Sequence, residues 1–125
     1  MKRNLRIMVI DDENIVGKRL KPALEKNGDV VETFTDARKA LERFSEQEFD
    51  IVVSDIRMDD IDGLEVLEQV LVRSEKTKVI IITGYATVEV AQEALVKGAF
   101  DFIAKPFKPN DLRAIIDKAA KELGK

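Results

Sequence analysis

A chain of 125 residues suits one domain around one core. With 45% apolar and 36% charged residues it reads as a soluble globular domain, and a formal charge of −3 argues against nucleic-acid binding through bulk charge. There is no Cys and no His, which excludes disulfides, zinc–thiolate sites, a cysteine nucleophile, a Ser–His triad and an imidazole base carried by this chain. No apolar run approaches the roughly 18 residues of a membrane span. The charged Met1-Lys2-Arg3-Asn4 is not followed by a long enough signal-peptide core, so a cytoplasmic location is expected.

Leu5 to Ile10 is short, apolar and rich in branched residues, which predicts a buried strand. The acidic Asp11-Asp12-Glu13 follows at once. Val16, Leu20, Ala23 and Leu24 then recur at helical spacing, up to a stop at Asn27-Gly28. Val30 to Phe34 predicts a second strand, and the polar Glu32 and Thr33 within it suit a sheet edge. Ala37, Ala40, Leu41 and Phe44 mark a second helix capped by Thr35 or Asp36.

Ile51 to Ser54 is a third apolar strand, delivering Asp55 to its end, and a polar loop follows that closes at Asp62-Gly63. Leu64, Leu67 and Leu71, with Val66 and Val70, predict the third helix. Val79 to Ile82 is a fourth strand, ending at Thr83-Gly84. Val88, Ala91 and Leu95 are read as the buried stripe of a fourth helix that stops at Gly98. Phe102 to Ala104 is a short fifth strand before Lys105-Pro106. Leu112, Ile115, Ile116, Ala119 and Leu123 give the last helix its inner face, with Pro109 in the first turn, where no backbone donor is needed.

Strand and helix thus alternate five times, which predicts an α/β fold with a parallel sheet and helices on both faces. In such sheets ligands bind beyond the carboxyl ends of the strands, where the strand order reverses. For the flavodoxin-like order 2-1-3-4-5, that rule gathers Asp11, Asp12 and Asp55 at the switch point, flanked by Thr83 and Lys105. Two unit charges about 4 Å apart cost roughly 4 kcal/mol at an effective dielectric of about 20. The cluster must therefore be protonated, paired with Lys105, or neutralised by a cation. Oxygen-only ligands suit Mg²⁺. No glycine-rich loop follows the first strand, which argues against a nucleotide or flavin cradle. A carboxylate can itself accept a phosphoryl group, given in-line positioning and charge neutralisation. Mg²⁺ and Lys105 would supply the positive charge and Thr83 a hydroxyl donor.

At these residues the chain resembles the response-regulator receiver domain of two-component signalling. The resemblance is carried by Ile10-Asp11-Asp12-Glu13, by Ser54-Asp55-Ile56-Arg57-Met58 running to Asp62-Gly63-Leu64, by Thr83-Gly84-Tyr85, and by Gly98-Ala99-Phe100-Asp101-Phe102-Ile103-Ala104-Lys105-Pro106-Phe107. It extends over essentially the whole chain, so residues 1–125 are expected to form a single receiver domain with the flavodoxin-like (βα)5 fold. It implies that Asp55 accepts a phosphoryl group from a phosphohistidine on a sensor histidine kinase or phosphotransfer protein. Asp12, Asp55 and the backbone carbonyl of Arg57 would bind Mg²⁺ directly, and Asp11 mainly through water. Thr83 and Lys105 would contact the phosphoryl group, and the Lys105-Pro106 bond is expected to be cis. Thr83 and Phe102 would form a coupled switch altering the surface of the fourth helix, fifth strand and fifth helix. The recipients of that signal would be an output domain, a downstream protein or a second copy in a phosphorylation-dependent homodimer. Neither nucleic-acid binding by the domain itself nor membrane contact is expected.

Three departures from the family pattern bear on rates. Asp59 stands where the loop after the acceptor usually has Pro. Phe102 lacks the hydroxyl of the frequent Tyr. Arg57 and Tyr85, two residues beyond Asp55 and Thr83, occupy positions that tune dephosphorylation, and their bulk is expected to slow hydrolysis. Such a domain would catalyse only its own phosphorylation and dephosphorylation. The alternatives are an aspartate-nucleophile phosphohydrolase, against which Arg57 stands where a second acid is usual, and a degenerate receiver serving only as an interaction module.

Overall fold

The computed structural model describes residues 4–58, 61–84 and 88–125. Five strands alternate with five helices: β1 (Arg6–Ile10), α1 (Asn14–Glu25), β2 (Val30–Phe34), α2 (Ala37–Glu46), β3 (Ile51–Asp55), α3 (Gly63–Arg73), β4 (Lys78–Thr83), α4 (Val88–Val96), β5 (Asp101–Ala104) and α5 (Pro109–Glu122). All strand pairings are parallel and the order is β2-β1-β3-β4-β5, as expected for the flavodoxin-like arrangement. β2 is an edge, in keeping with its mixed sequence. Among the described residues no helix is long and apolar enough to cross a membrane.

Alternation along the strands divides the core in two. Met8, Ile10, Val52, Val79 and Ile81 face α2, α3 and α4, which contribute Ala40, Phe44, Val66, Leu67, Val70 and Ala94. Ile7, Val9, Ile51, Val53, Ile80 and Ile82 face α1 and α5, which contribute Leu20, Leu24, Leu112, Ile116 and Ala119. β3 and β4, covered on both faces, are almost wholly buried, which explains their unbroken apolar runs.

The helix ends follow the local chemistry of the sequence. Asp36 caps α2 by accepting from the backbone N–H groups of Arg38 and Lys39, and Asp62 caps α3 by accepting from that of Glu65 at 2.9 Å. Pro109 opens α5.

Two helix faces differ from expectation. On α3 the buried centre is Val66, Leu67 and Val70, with Leu64 and Leu71 at its margins. On α4 the expected stripe of Val88, Ala91 and Leu95 is not the inner face. Ala94 is the buried residue, Val90 packs beside it, and Val88 and Leu95 are exposed. This helix is apolar around most of its circumference, so helical spacing fits two stripes equally well. The structure selects the one whose small Ala94 permits close approach.

Candidate functional site

Ile10, Asp55, Thr83 and Ala104 close strands β1, β3, β4 and β5, so the residues at or just past these positions share one rim of the sheet. One carboxylate oxygen from each of Asp11, Asp12 and Asp55 lies within 4.8 Å of the others. Asp11 and Asp55 are buried and Asp12 is exposed, so the cluster meets solvent at Asp12.

Lys105 reaches into this cluster from the loop after β5. Its Nζ is 2.9 Å from Asp11 Oδ2, 3.1 Å from Glu13 Oε1 and 3.2 Å from Asp55 Oδ2. The Lys105-Pro106 bond is cis. The backbone N–H of Lys105 donates to the Thr83 carbonyl at 2.8 Å, tying the loop to the end of β4. Asp11 is fixed from the other side, its Oδ1 accepting from the Glu13 N–H at 2.9 Å. Asp11 Oδ2 is buried and accepts no well-directed hydrogen bond, so its contact with Lys105 is charge pairing.

These surroundings set the ionisation of the site. Burial, and then the neighbouring Asp11 charge, push the Asp55 carboxyl above its ordinary value, while Lys105 and the Arg57 backbone N–H oppose the rise. For Lys105, burial disfavours the ammonium. The contacts with Asp11 and Glu13 and the charges of Asp11 and Asp55 outweigh it and pull the group above the usual lysine range. Lys105 is therefore a fixed cation at neutral pH.

Ile56 and Gly63 are drawn together beside the acceptor. The Ile56 N–H donates to the Ile82 carbonyl at 2.9 Å, and the Gly63 N–H to the Ile56 carbonyl at 2.8 Å. A Cβ on Gly63 would lie 2.4 Å from the Asp55 carbonyl oxygen and 2.7 Å from Ile56 Cα. Only glycine permits this approach. The start of α3 thus presses directly on the acceptor's backbone.

Asp11, Asp12, Asp55 and Lys105 are brought together as the sequence led one to expect, and Thr83 stands buried on the adjacent strand end. Arg57 is exposed, with its N–H a long 3.5 Å from Asp55 Oδ1. Phe102 is half-buried on the edge strand β5, against the core on the α4 side. Tyr85 and Asp59 lie outside the described residues. Sequence reasoning passed over Glu13 as a partner of Lys105. The one signal for it was its place in the acidic run Asp11-Asp12-Glu13.

The residues fit a hard divalent cation. The donors are all oxygen, two of the three acids are buried, and the orphaned lone pairs of Asp11 Oδ2 leave a buried acceptor that a single ammonium does not satisfy.

Comparison with known proteins agrees with this geometry. The family model described as the response regulator receiver domain matches residues 7–117. The regulatory protein AtoC of Escherichia coli K12 is 39% identical over 114 residues, which cover 91% of this chain and 25% of AtoC. The chain thus spans about a quarter of that relative's length. A CheY-like receiver domain protein from Methanospirillum hungatei JF-1 superposes with a TM-score of 0.92 at 31% identity, covering 97% of each chain. The beryllofluoride-activated NtrC4 receiver domain dimer gives 0.89 at 33% identity, covering 94% of this chain and 98% of that one. With most of its length matched and its acids gathered at the strand ends, the chain belongs to the response regulator receiver domain family.

Proposed function

We propose that this receiver takes a phosphoryl group onto Asp55 from a phosphohistidine on a partner kinase or phosphotransfer protein in the cytoplasm. The observation that carries the reading is the meeting of Asp55 with both Lys105, at 3.2 Å, and the acids Asp11 and Asp12 at one strand-end rim. A carboxylate needs no base to act as nucleophile. As an Asp55 oxygen attacks phosphorus, the O–P bond forms and the P–N bond to the donor imidazole breaks. The imidazole leaves with the electron pair and takes up a proton. Lys105, held as a cation, and the Thr83 hydroxyl would receive the phosphoryl oxygens. Asp12, Asp55 and the Arg57 carbonyl, with Asp11 through water, would hold Mg²⁺, which supplies further neutralisation of phosphoryl charge. Arg57, exposed beside Asp55, and Tyr85 would retard attack by water on the phosphoaspartate.

The output follows from position on the sheet. Thr83 is in register with Ala104, and Phe102 pairs with Ile81, so strand alternation puts the Thr83 and Phe102 side chains on the same face, toward α4. A shift of the Thr83 hydroxyl toward a phosphoryl group would open space that Phe102 can enter. The α4-β5-α5 surface would change with it, for an output domain, a downstream protein or a second copy to read.

Intact-mass measurement with acetyl phosphate and Mg²⁺ tests this reading. One phosphoryl group is expected on the wild type and none on Asp55→Asn. An unlabelled wild type would sink the phosphoacceptor assignment and favour a receiver that works by interaction alone; equal labelling of both proteins would sink the choice of Asp55.

A further inference from the structure

The geometry points to Glu13 as a positioning residue that withholds Lys105 from an incoming phosphoryl group and must let go of it during transfer. This inference rests on the phosphoacceptor reading of Asp55.

An ammonium has three N–H donors. Lys105 donates hydrogen bonds to Glu13 at 3.1 Å and Asp55 at 3.2 Å and pairs by charge with Asp11 at 2.9 Å. With three carboxylates crowded around the ammonium, a fourth anionic partner displaces one of them. The three are not equally free to give way. Asp11 has a side chain 1% exposed and is pinned through its other oxygen by the Glu13 N–H. Asp55 is 9% exposed and in this reading carries the oxygen to be phosphorylated. The Glu13 side chain is 63% exposed, so water can replace Lys105 around it at little cost.

The backbone explains why only the side chain need move. Glu13 stands at the N-terminal boundary of α1, and its N–H is held by Asp11 at 2.9 Å. The main chain is thereby anchored to the site while the carboxylate hangs at its open edge. Rotation about the side-chain bonds releases Lys105 without disturbing Asp11 or the helix. In the resting domain Glu13 thus completes the ion cluster. On the way to the phosphorylated state its contact is lost and a contact from Lys105 to phosphoryl oxygen is gained, so the contact is a cost in the transfer step.

The test compares wild type, Glu13→Gln and Glu13→Asp, labelled with acetyl phosphate at saturating Mg²⁺ and followed by intact mass. In this reaction the Asp55 O–P bond forms as the P–O bond to acetate breaks, and acetate leaves. Releasing one charge-assisted contact is expected to raise the labelling rate of Glu13→Gln roughly fivefold or more. Glu13→Asp keeps the charge but is one methylene shorter, so it draws back from Nζ. It is expected to label nearly as fast as Glu13→Gln. If Glu13 acts only by repelling the anionic donor, Glu13→Asp will match the wild type, and the inference falls. NMR of the unlabelled proteins adds a spectroscopic signature. The Lys105 Cε resonances are expected to shift in both variants while those of Lys118 do not; unmoved Lys105 resonances overturn the contact itself. A wild type that labels normally, with no gain in Glu13→Gln, overturns this inference alone. A wild type that does not label overturns the phosphoacceptor reading and this inference with it.

Discussion

The ionisation of Asp55 has a measurable consequence for the isolated residue. Burial first, then Asp11, push its carboxyl above the ordinary range in the folded protein. The folded state therefore holds that proton more tightly than the unfolded chain does. Below both values the group is protonated in both states and contributes nothing. As pH rises through the folded value, ionisation is resisted in the fold, and stability is lost and stays lost at neutral pH. Asp55→Asn removes that loss. We expect its Tm at pH 7, without Mg²⁺, to exceed that of the wild type. The gain should vanish below the ordinary carboxylate range, and added Mg²⁺ should narrow or reverse the ranking by stabilising the wild type more. A variant no more stable than wild type would mean that Lys105 already compensates the acid in full. At this scale the sequence was most informative where a side chain ends a buried strand. Asp55 and Thr83 end buried strands, Asp11 and Asp12 follow another, Lys105 follows the edge strand β5, and parallel topology brings such positions together. Glu13 could not be told from a solvated acid at a helix start, because its partner is 92 residues away.

Elements carry information that single side chains do not. α3 begins where Gly63 meets the backbone of Asp55 and Ile56, with space for no Cβ. Its position and that of the acceptor are therefore one mechanical unit. Gly63→Ala must displace main chain rather than a flexible side chain. It is expected to lower stability by about 1–3 kcal/mol in urea unfolding and to slow acetyl phosphate labelling as well. Asp62→Ala is the control. It removes only the cap on Glu65, at a cost of about 1 kcal/mol, and should leave the labelling rate near that of the wild type. If both variants slow labelling alike, weakening of α3 and not displacement of Asp55 is responsible. Asp62-Gly63 was visible in the sequence as the closing of a loop; its contact with the acceptor's carbonyl was not, since that depends on how close the helix is laid. β2 shows the same limit. Glu32 marked the strand as an edge, but its paired hydrogen bonds to Arg43, at 2.9 and 3.0 Å, join β2 to α2 and hold the Glu32 carboxyl below its usual range. Pattern predicts which face is wet and leaves open which charge will meet it there. On α4 even the face was ambiguous, because Val88, Val90, Ala91, Ala94, Leu95 and Val96 surround the helix and only packing chooses among them.

At the scale of the whole molecule, that choice leaves apolar side chains facing water on the side where the proposed switch emerges. Leu95 is 47% exposed, Val88 68% and Val96 86%. The sheet delivers the chemistry to its rim, while α4 lies beside β4 and β5, whose ends carry Thr83 and Lys105. A change at Thr83 and Phe102 would have directly packed neighbours through which to reach α4. The NtrC4 receiver, similar in fold and sequence, was solved as a beryllofluoride-activated dimer. For the present chain we expect beryllofluoride with Mg²⁺ to raise the sedimentation coefficient from monomer toward dimer, through the face that bears Val88 and Leu95. A two-fold contact presents the same residues from both copies, so one substitution acts twice. Leu95→Glu would place two like charges at or near the shared face, and it should hold the activated protein monomeric. Because Leu95 is outside the acid cluster, acetyl phosphate labelling of Asp55 should persist in that variant. Loss of labelling together with loss of dimer would place the defect in the fold. A wild type that stays monomeric when activated would assign the apolar face of α4 to a different partner, an output domain or a downstream protein, and leave self-association without support.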